Sequence, residues 1–106
     1  MTKYILVYKS KAPLDWSLLP KEEVSKIVEA WGEWVGSMGP MRKDSMPFKF
    51  GGKSVSYEGT NEADNLLNGF AIIDAKDFDE ALSFAKNAPS VKDDTGSIEV
   101  YEAFGL

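Results

Sequence analysis

Two stretches in the last third of the chain decide the fold. Asn68–Pro89 reads NGFAIIDAKDFDEALSFAKNAP, and Gly96–Phe104 reads GSIEVYEAF. The first begins with an alternating apolar run that is typical of a strand, and Asp77 follows as a helix N-cap, with Glu80 three residues on completing a capping box. A second alternating run follows after Gly96. The pattern therefore predicts a strand, a helix over Phe78–Ala88 and a final strand.

The first half of the chain repeats this order. Lys3–Lys9 alternates two apolar faces, Tyr4, Leu6 and Tyr8 against Ile5 and Val7, which predicts a strand covered on both sides. Pro20 suits the first position of a helix, and the helix is predicted to run over Pro20–Met38. Its apolar stripe has a spacing of three and four and consists of Val24, Ile27, Val28, Trp31, Val35 and Met38.

The middle of the chain contains weaker patterns. Met41–Met46 predicts a strand, and Phe48–Tyr57 predicts a hairpin that turns at Gly51 and Gly52. Glu58–Leu67 and Ser90–Gly96 are interpreted as loops. The element order is strand, helix, strand, hairpin, strand, helix, strand. This order is typical of an α+β, ferredoxin-like βαββαβ fold with an extra β-hairpin: an antiparallel sheet with two helices on one face, in a single domain over residues 1–106.

Composition excludes several classes of function. The chain has 106 residues, a net charge of −5, and neither histidine nor cysteine. A Ser-His-Asp hydrolase is therefore excluded, and no metal or other cofactor is expected. Arg42 is the only arginine and the lysines are scattered, so a nucleic-acid partner is not expected. No apolar run is long enough to span a membrane, and the N-terminus does not resemble a signal peptide, so we expect a cytoplasmic protein without a membrane partner.

Both faces of the first predicted strand are apolar, which bears on assembly. Two helices cover one face of such a sheet, so the other face would leave a contiguous apolar patch in water. Packing two sheets face to face across a two-fold axis covers that patch. We therefore expect a homodimer formed through the sheet face that the helices leave open. The alternative is that the hairpin and loops fold over this face.

Several short motifs together resemble the YCII-related family of small dimeric α+β barrel proteins, and in particular its branch named for an Asp-Gly-Pro-Phe loop. The similar segments are Lys3–Tyr8 (KYILVY), Ala30–Trp34 (AWGEW), Gly51–Lys53 (GGK), Asn68–Asp74 (NGFAIID), Phe78–Leu82 (FDEAL) and Gly96–Val100 (GSIEV). The chain departs from that branch where Glu58-Gly59-Thr60-Asn61 replaces the Asp-Gly-Pro-Phe loop. The family's His–Asp dyad cannot be carried over, because the chain has no histidine.

Aromatic residues are the first candidates for a ligand site. Trp31 lies on the apolar stripe of the predicted first helix and is interpreted as a core residue. Trp34 lies one position off the centre of that stripe, and Trp16 lies in the loop before the helix. Either indole could line a ligand cleft, and the alternative for both is ordinary packing.

Polar candidates follow the first helix. Arg42 could anchor a ligand carboxylate and Asp44 could act as a base; a spacing of two places both on one face of a regular strand. In the family that the chain resembles, an acidic residue in this region is part of the proposed site. The alternative is a solvated ion pair with Lys43 or Lys49. Tyr8 is a candidate proton donor, and Glu58 belongs to an acidic loop with Glu62 and Asp64 that is interpreted as solvated.

The leading hypothesis from the sequence is a homodimeric YCII-like protein that binds a small apolar or aromatic molecule without catalysis. Two alternatives remain open. One is a cofactor-independent enzyme, such as a monooxygenase, isomerase or lyase, that uses the cleft of the α+β barrel. The other is a structural or regulatory interaction module. The residues expected at a ligand site are Tyr8, Trp16, Trp34, Arg42, Asp44 and Glu58.

Overall fold

A computed structural model describes residues 1–105 and contains one four-stranded antiparallel sheet in the order β2-β5-β1-β6. The strands are β1 (Thr2–Ser10), β2 (Arg42–Pro47), β3 (Lys53–Ser56), β4 (Gly59–Glu62), β5 (Leu67–Ala75) and β6 (Gly96–Glu102). The helices are α1 (Lys21–Ser37), α2 (Phe78–Ala85) and α3 (Pro89–Lys92). The predicted ferredoxin-like order is confirmed. Within residues 1–105, no helix is long and apolar enough to cross a membrane.

Along the two central strands, β1 and β5, successive side chains lie on opposite faces of the sheet. Tyr4 lies opposite Ile73 and Leu6 lies opposite Ala71, and all four side chains are buried. Because paired residues share a face, these side chains line one side of the sheet. The helices α1 and α2 pack on this side. Their buried residues Trp34, Ala81 and Ala85 join the same core, together with Met38 at the C-cap of α1. The face that the helices cover, called here the helix face, therefore contains the core.

The first helix is rotated relative to the prediction. Trp34, which was expected at the edge of the apolar stripe, is only 5% exposed, whereas Trp31 is half-buried and Val28 is 52% exposed. The indole Nε1 of Trp34 donates a hydrogen bond of 2.8 Å to the carbonyl oxygen of Phe84 at the end of α2. Because a buried indole N–H needs an acceptor, this contact fixes which tryptophan enters the core. Trp34 is therefore the buried tryptophan, and Trp31, predicted to be the core residue, packs against the core as a partly buried side chain.

The second helix begins as predicted but ends earlier. The Asp77 carboxylate accepts a hydrogen bond of 2.9 Å from the Glu80 amide, and the Glu80 carboxylate accepts one of 3.0 Å from the Lys76 amide. The helix ends at Ala85 rather than Ala88. Pro89 begins the short helix α3, because a proline fits the first helical position, where no N–H is needed. The interpretation of Ser90–Gly96 as a loop is therefore wrong over its first part.

The hairpin exists, but its register differs from the prediction. β3 pairs with β4, and Ser56 lies opposite Gly59, so the turn falls at Tyr57 and Glu58 instead of Gly51 and Gly52. The amides of both glycines donate hydrogen bonds of 3.0 Å to the side-chain oxygen of Asn65. These two hydrogen bonds hold the glycines at the base of the hairpin. The predicted loop over Glu58–Leu67 thus contains a strand, β4.

The opposite side of the sheet, called here the open face, is covered by no helix. Its centre consists of half-buried apolar side chains, with Val7 opposite Phe70 and Ile5 opposite Ile72. Asp74 closes one end of this face: its carboxylate lies 3.0 Å from Lys3 Nζ and 3.5 Å from Lys43 Nζ. The hydrogen bond from Lys3, with the charges of both lysines, lowers the pKa of Asp74. The open face is therefore an apolar patch with a charged rim.

Truncation of the two helix tryptophans tests this rotation of α1. Trp34→Ala should lower the free energy of unfolding by about 3–5 kcal/mol, because it leaves a cavity and an unpaired carbonyl. Trp31→Ala should cost about 1–2 kcal/mol, and Val28→Ala, on the solvent side, less than about 0.5 kcal/mol. Urea denaturation measures all three. A larger loss for Trp31→Ala than for Trp34→Ala would contradict the observed packing.

Candidate functional site

An aromatic cluster lies between the helix face of β1 and the first helix. The Tyr8 ring centroid is 5.0 Å from that of Trp31 and 5.4 Å from that of Trp34, and the two indoles are 5.4 Å apart. The contacts with Trp34 are edge-to-face, the geometry that aromatic pairs prefer. One turn of α1 supplies both indoles, so the helix fixes the position of the tyrosine ring.

The Tyr8 hydroxyl is buried without a partner. Tyr8 is 6% exposed, and its oxygen makes no hydrogen bond to any of residues 1–105. The neighbouring strand admits the ring because position 69 is glycine: a Cβ there would lie 3.0 Å from Tyr8 Cδ2 and 2.6 Å from the Met46 carbonyl oxygen. Burial raises the pKa of the Tyr8 phenol far above its usual range, and the positive charge of Arg42 only partly opposes this rise. The raised pKa means that the phenol keeps its proton at an alkaline pH at which an exposed tyrosine loses it.

A β-bulge at Lys43 separates the two polar candidates on β2. Arg42 lies opposite Ile73, on the helix face, whereas Asp44 lies opposite Ile72, on the open face. The expectation that a spacing of two puts both on one face is wrong, because the extra residue of the bulge reverses the alternation. Arg42 Nη1 instead donates a hydrogen bond of 3.1 Å to Ser45 Oγ. The bulge thus places Arg42, without Asp44, on the same face as Tyr8.

A cleft of about 270 Å³ lies elsewhere, between the loop before α1 and the segment after β2. This aromatic cleft is lined by Leu14, Asp15, Trp16, Ser17, Phe48, Lys49, Phe50 and Asn68. Three aromatic side chains from two separate segments therefore meet in it, together with one lysine. A second depression of about 210 Å³ shares Phe48 and Lys49 with it and extends to Asn65.

Local hydrogen bonds hold the walls of the aromatic cleft. The Asp15 carboxylate accepts bonds from the Ser17 amide (3.0 Å) and the Ser17 hydroxyl (2.6 Å), which stabilises the 3₁₀ turn that carries Trp16. On the other side, the Phe48 amide donates a hydrogen bond of 2.7 Å to the Asn68 carbonyl oxygen. The Phe48 ring lies 6.1 Å from that of Phe70, so it also reaches the rim of the open face. Hydrogen bonds therefore hold the backbone of both walls.

The structure places the six residues that were predicted for a ligand site in different parts of the molecule. Tyr8, Trp34 and Arg42 belong to the helix face, and Trp34 is a core residue rather than a cleft wall. Trp16 lines the aromatic cleft. Asp44 is exposed on the open face, and Glu58 is exposed in the hairpin turn, away from the residues that line the cleft.

Sequence reasoning missed most of the aromatic cleft. Phe48 and Phe50 were assigned to a hairpin arm, Lys49 was considered only as an ion-pair partner, and Asn68 only as the start of a strand. The available signal was the Phe-Lys-Phe run itself, because two alternating aromatic side chains in an exposed segment indicate a binding surface or a packing contact. Among residues 1–105, no group of three or more acidic side chains gathers in a way that would hold a metal ion.

Comparison with known proteins bears on this geometry. The model of the YCII-related domain matches residues 1–105 of the chain. Among solved structures, a similar one is 5-chloro-2-hydroxyhydroquinone dehydrochlorinase (TftG) from Burkholderia phenoliruptrix AC1100, in complex with 2,5-dihydroxybenzoquinone. It shares 15% identity over 98% of this chain and 95% of that chain, with a TM-score of 0.62, a likeness that shows the fold. No curated protein matches the chain.

Burial of the Tyr8 phenol predicts how the free energy of unfolding changes at alkaline pH. An unfolded tyrosine releases its proton near pH 10, whereas folded Tyr8 retains it, so the folded state binds more protons above that pH. The free energy of unfolding should therefore fall as the pH rises above about 10, and fall less steeply in Tyr8→Phe. Tyr57→Phe is the matched control, because Tyr57 is fully exposed. Equal alkaline slopes for Tyr8→Phe and wild type, measured by urea denaturation, would contradict the assignment.

Proposed function

We propose that this chain, which belongs to the YCII-related family, is a homodimeric protein that binds a small aromatic or quinone-like molecule in its aromatic cleft without catalysis. The observation that carries this proposal is the convergence of Trp16, Phe48 and Phe50 on one cleft. Ligand sites are mostly apolar and aromatic, with a few polar groups that fix orientation. The aromatic cleft has this composition.

The size of the cleft supports a single-ring ligand. At about 270 Å³ it lies just below the range of roughly 300–1,000 Å³ that is typical of sites for drug-sized molecules. A molecule with one six-membered ring and a few oxygens fits such a volume. The structural neighbour of this fold was determined with 2,5-dihydroxybenzoquinone, a ligand of that size and class.

The polar groups at the cleft can bind oxygens on the ring of the proposed ligand. Lys49 makes no ion pair with any of residues 1–105, so its ammonium group is free to donate to a phenolate or quinone oxygen. Asp15 is the only acidic residue that lines the cleft, and its carboxylate is already engaged by Ser17. We therefore assign binding rather than acid–base chemistry to this cleft.

The open face supports the proposed homodimer. Ile5, Val7, Phe70 and Ile72 form its apolar centre, and no helix packs on them. A contiguous apolar patch of this kind usually marks an interface, and a two-fold axis lets the same patch cover itself. Ion pairs such as that of Lys9 with Glu99 (3.7 Å) lie at the rim, where charges are tolerated in interfaces.

Calorimetric titration with 2,5-dihydroxybenzoquinone tests the binding proposal. Wild type should bind it, and Trp16→Ala should weaken binding by about tenfold or more, because an aromatic wall worth at least about 1.4 kcal/mol is lost. Lys49→Gln should weaken it by a smaller factor. Leu18→Ala is the control: it lies on the same turn, is exposed and does not line the cleft. Absence of binding at millimolar ligand, or equal affinity in Trp16→Ala, would refute the proposal.

Sedimentation equilibrium tests the dimer. At micromolar concentration the protein should show twice the chain mass of 11.7 kDa. Val7→Asp should give a folded monomer, because it places a charge at the centre of the interface. Ser25→Asp adds the same charge on the exposed side of α1 and should remain dimeric. A single-chain mass for wild type would show that the open face has another role.

A further inference from the structure

We propose that the aromatic cleft continues into the second depression, and that the two together bind a quinone or dihydroxybenzene ring with a short apolar side chain. The ring lies in the aromatic cleft, and its side chain lies in the second depression, which has a volume of about 210 Å³. This inference rests on the proposed function, because it names the class of ligand that the same cleft binds. The apolar side chain is an added requirement, which can fail while ring binding holds.

The two depressions adjoin along the chain segments that form them. Phe48 and Lys49 line both. On β5, Asn68 lines the aromatic cleft, and its neighbour Leu67 lines the second depression. The Phe48 amide donates a hydrogen bond of 2.7 Å to the Asn68 carbonyl oxygen, so the two segments are joined where the depressions meet. A single molecule can therefore occupy both depressions.

Gly52 keeps the second depression open. A Cβ at this position would lie 3.5 Å from Ala63 Cβ and 3.8 Å from Asn65 Oδ1, and both of these residues line the depression. These distances are ordinary van der Waals contacts, and Gly52 does not have a positive φ, so the backbone does not require glycine here. A larger side chain at position 52 would fill part of the depression. Glycine at this position therefore leaves room for a ligand.

The walls of the second depression favour an apolar side chain. Leu67 is 48% exposed and Ala63 is half-buried, so both offer apolar surface that a ligand can cover. The Asp64 carboxylate also lines the depression and accepts a hydrogen bond of 3.0 Å from the Leu66 amide. It repels a second carboxylate, which disfavours an acidic side chain on the ligand. Lys49 lies where the depressions meet, so its ammonium group can bind an oxygen on the ring.

Calorimetric titration with matched quinones tests the second depression. The parent compound is 2,5-dihydroxybenzoquinone, and its monopropyl derivative carries a short apolar chain on a ring carbon. In wild type the propyl derivative should bind about tenfold more tightly than the parent, because each fully buried CH₂ contributes roughly fourfold in affinity. A monocarboxyethyl derivative, which is similar in length but ends in a carboxylate, should bind no more tightly than the parent.

Two variants separate the second depression from the aromatic cleft. Gly52→Val fills the depression, so the ratio of the two affinities, propyl derivative over parent, should fall from about tenfold to about one. Leu67→Ser removes an apolar wall, and the same ratio should fall by several-fold. Ser54→Val is the matched control: it introduces the same side chain on the same hairpin, at an exposed position that lines neither depression. Its ratio should match that of wild type.

Four results would overturn the proposal. Equal affinity of the parent and the propyl derivative for wild type would overturn it and leave the proposed function in place. A gain from the propyl group that survives Gly52→Val would place the side chain outside the second depression. Tighter binding of the carboxyethyl derivative than of the propyl derivative would show that charge selects the side chain. Failure of all three quinones to bind would refute the proposed function and this inference together.

Discussion

The unequal covering of one antiparallel sheet is the constraint on which the rest of the structure depends. Side chains alternate along β1 and β5, so each strand presents one set to the helices and one set away from them. Tyr4, Leu6 and Ile73 fill the core with the buried residues of α1 and α2. Val7 and Ile72, which are equally apolar, are left on the open face. Two helices on one side of the sheet leave its other side without a helical cover.

The aromatic cleft and the position of Arg42 both arise where the regular pattern of the sheet is interrupted. The bulge at Lys43 puts Arg42 on the face of Tyr8, and Gly69 leaves room for the tyrosine ring against the neighbouring strand. The aromatic cleft forms where β2 ends and Phe48 keeps one more backbone bond to Asn68. Phe48 also approaches Phe70 on the open face, so the cleft and the proposed dimer interface adjoin.

Sequence patterns predicted those elements of the fold that depend only on residues close together in the chain. The alternation of β1 and the capping of α2 by Asp77 depend on neighbours within a few residues, and both are confirmed. The parts that failed depend on distant partners. In the core, the indole N–H of Trp34 donates a hydrogen bond to the carbonyl oxygen of Phe84, fifty residues away. The Gly51-Gly52 pair does not make the turn, because Asn65 binds both amides. The bulge at Lys43 leaves no recognisable signature in the sequence, so the separation of Arg42 from Asp44 could not be foreseen.

Thiol labelling of two adjacent positions on β5 tests the two-faced sheet most directly, because the chain has no native cysteine. In Ala71→Cys the thiol lies in the core, and in Ile72→Cys it lies on the open face. The account predicts that Ala71→Cys reacts slowly at every protein concentration, whereas Ile72→Cys reacts fast in dilute solution and more slowly as dimers form. Equal rates at the two positions, or an Ile72→Cys rate that does not change with concentration, would contradict it.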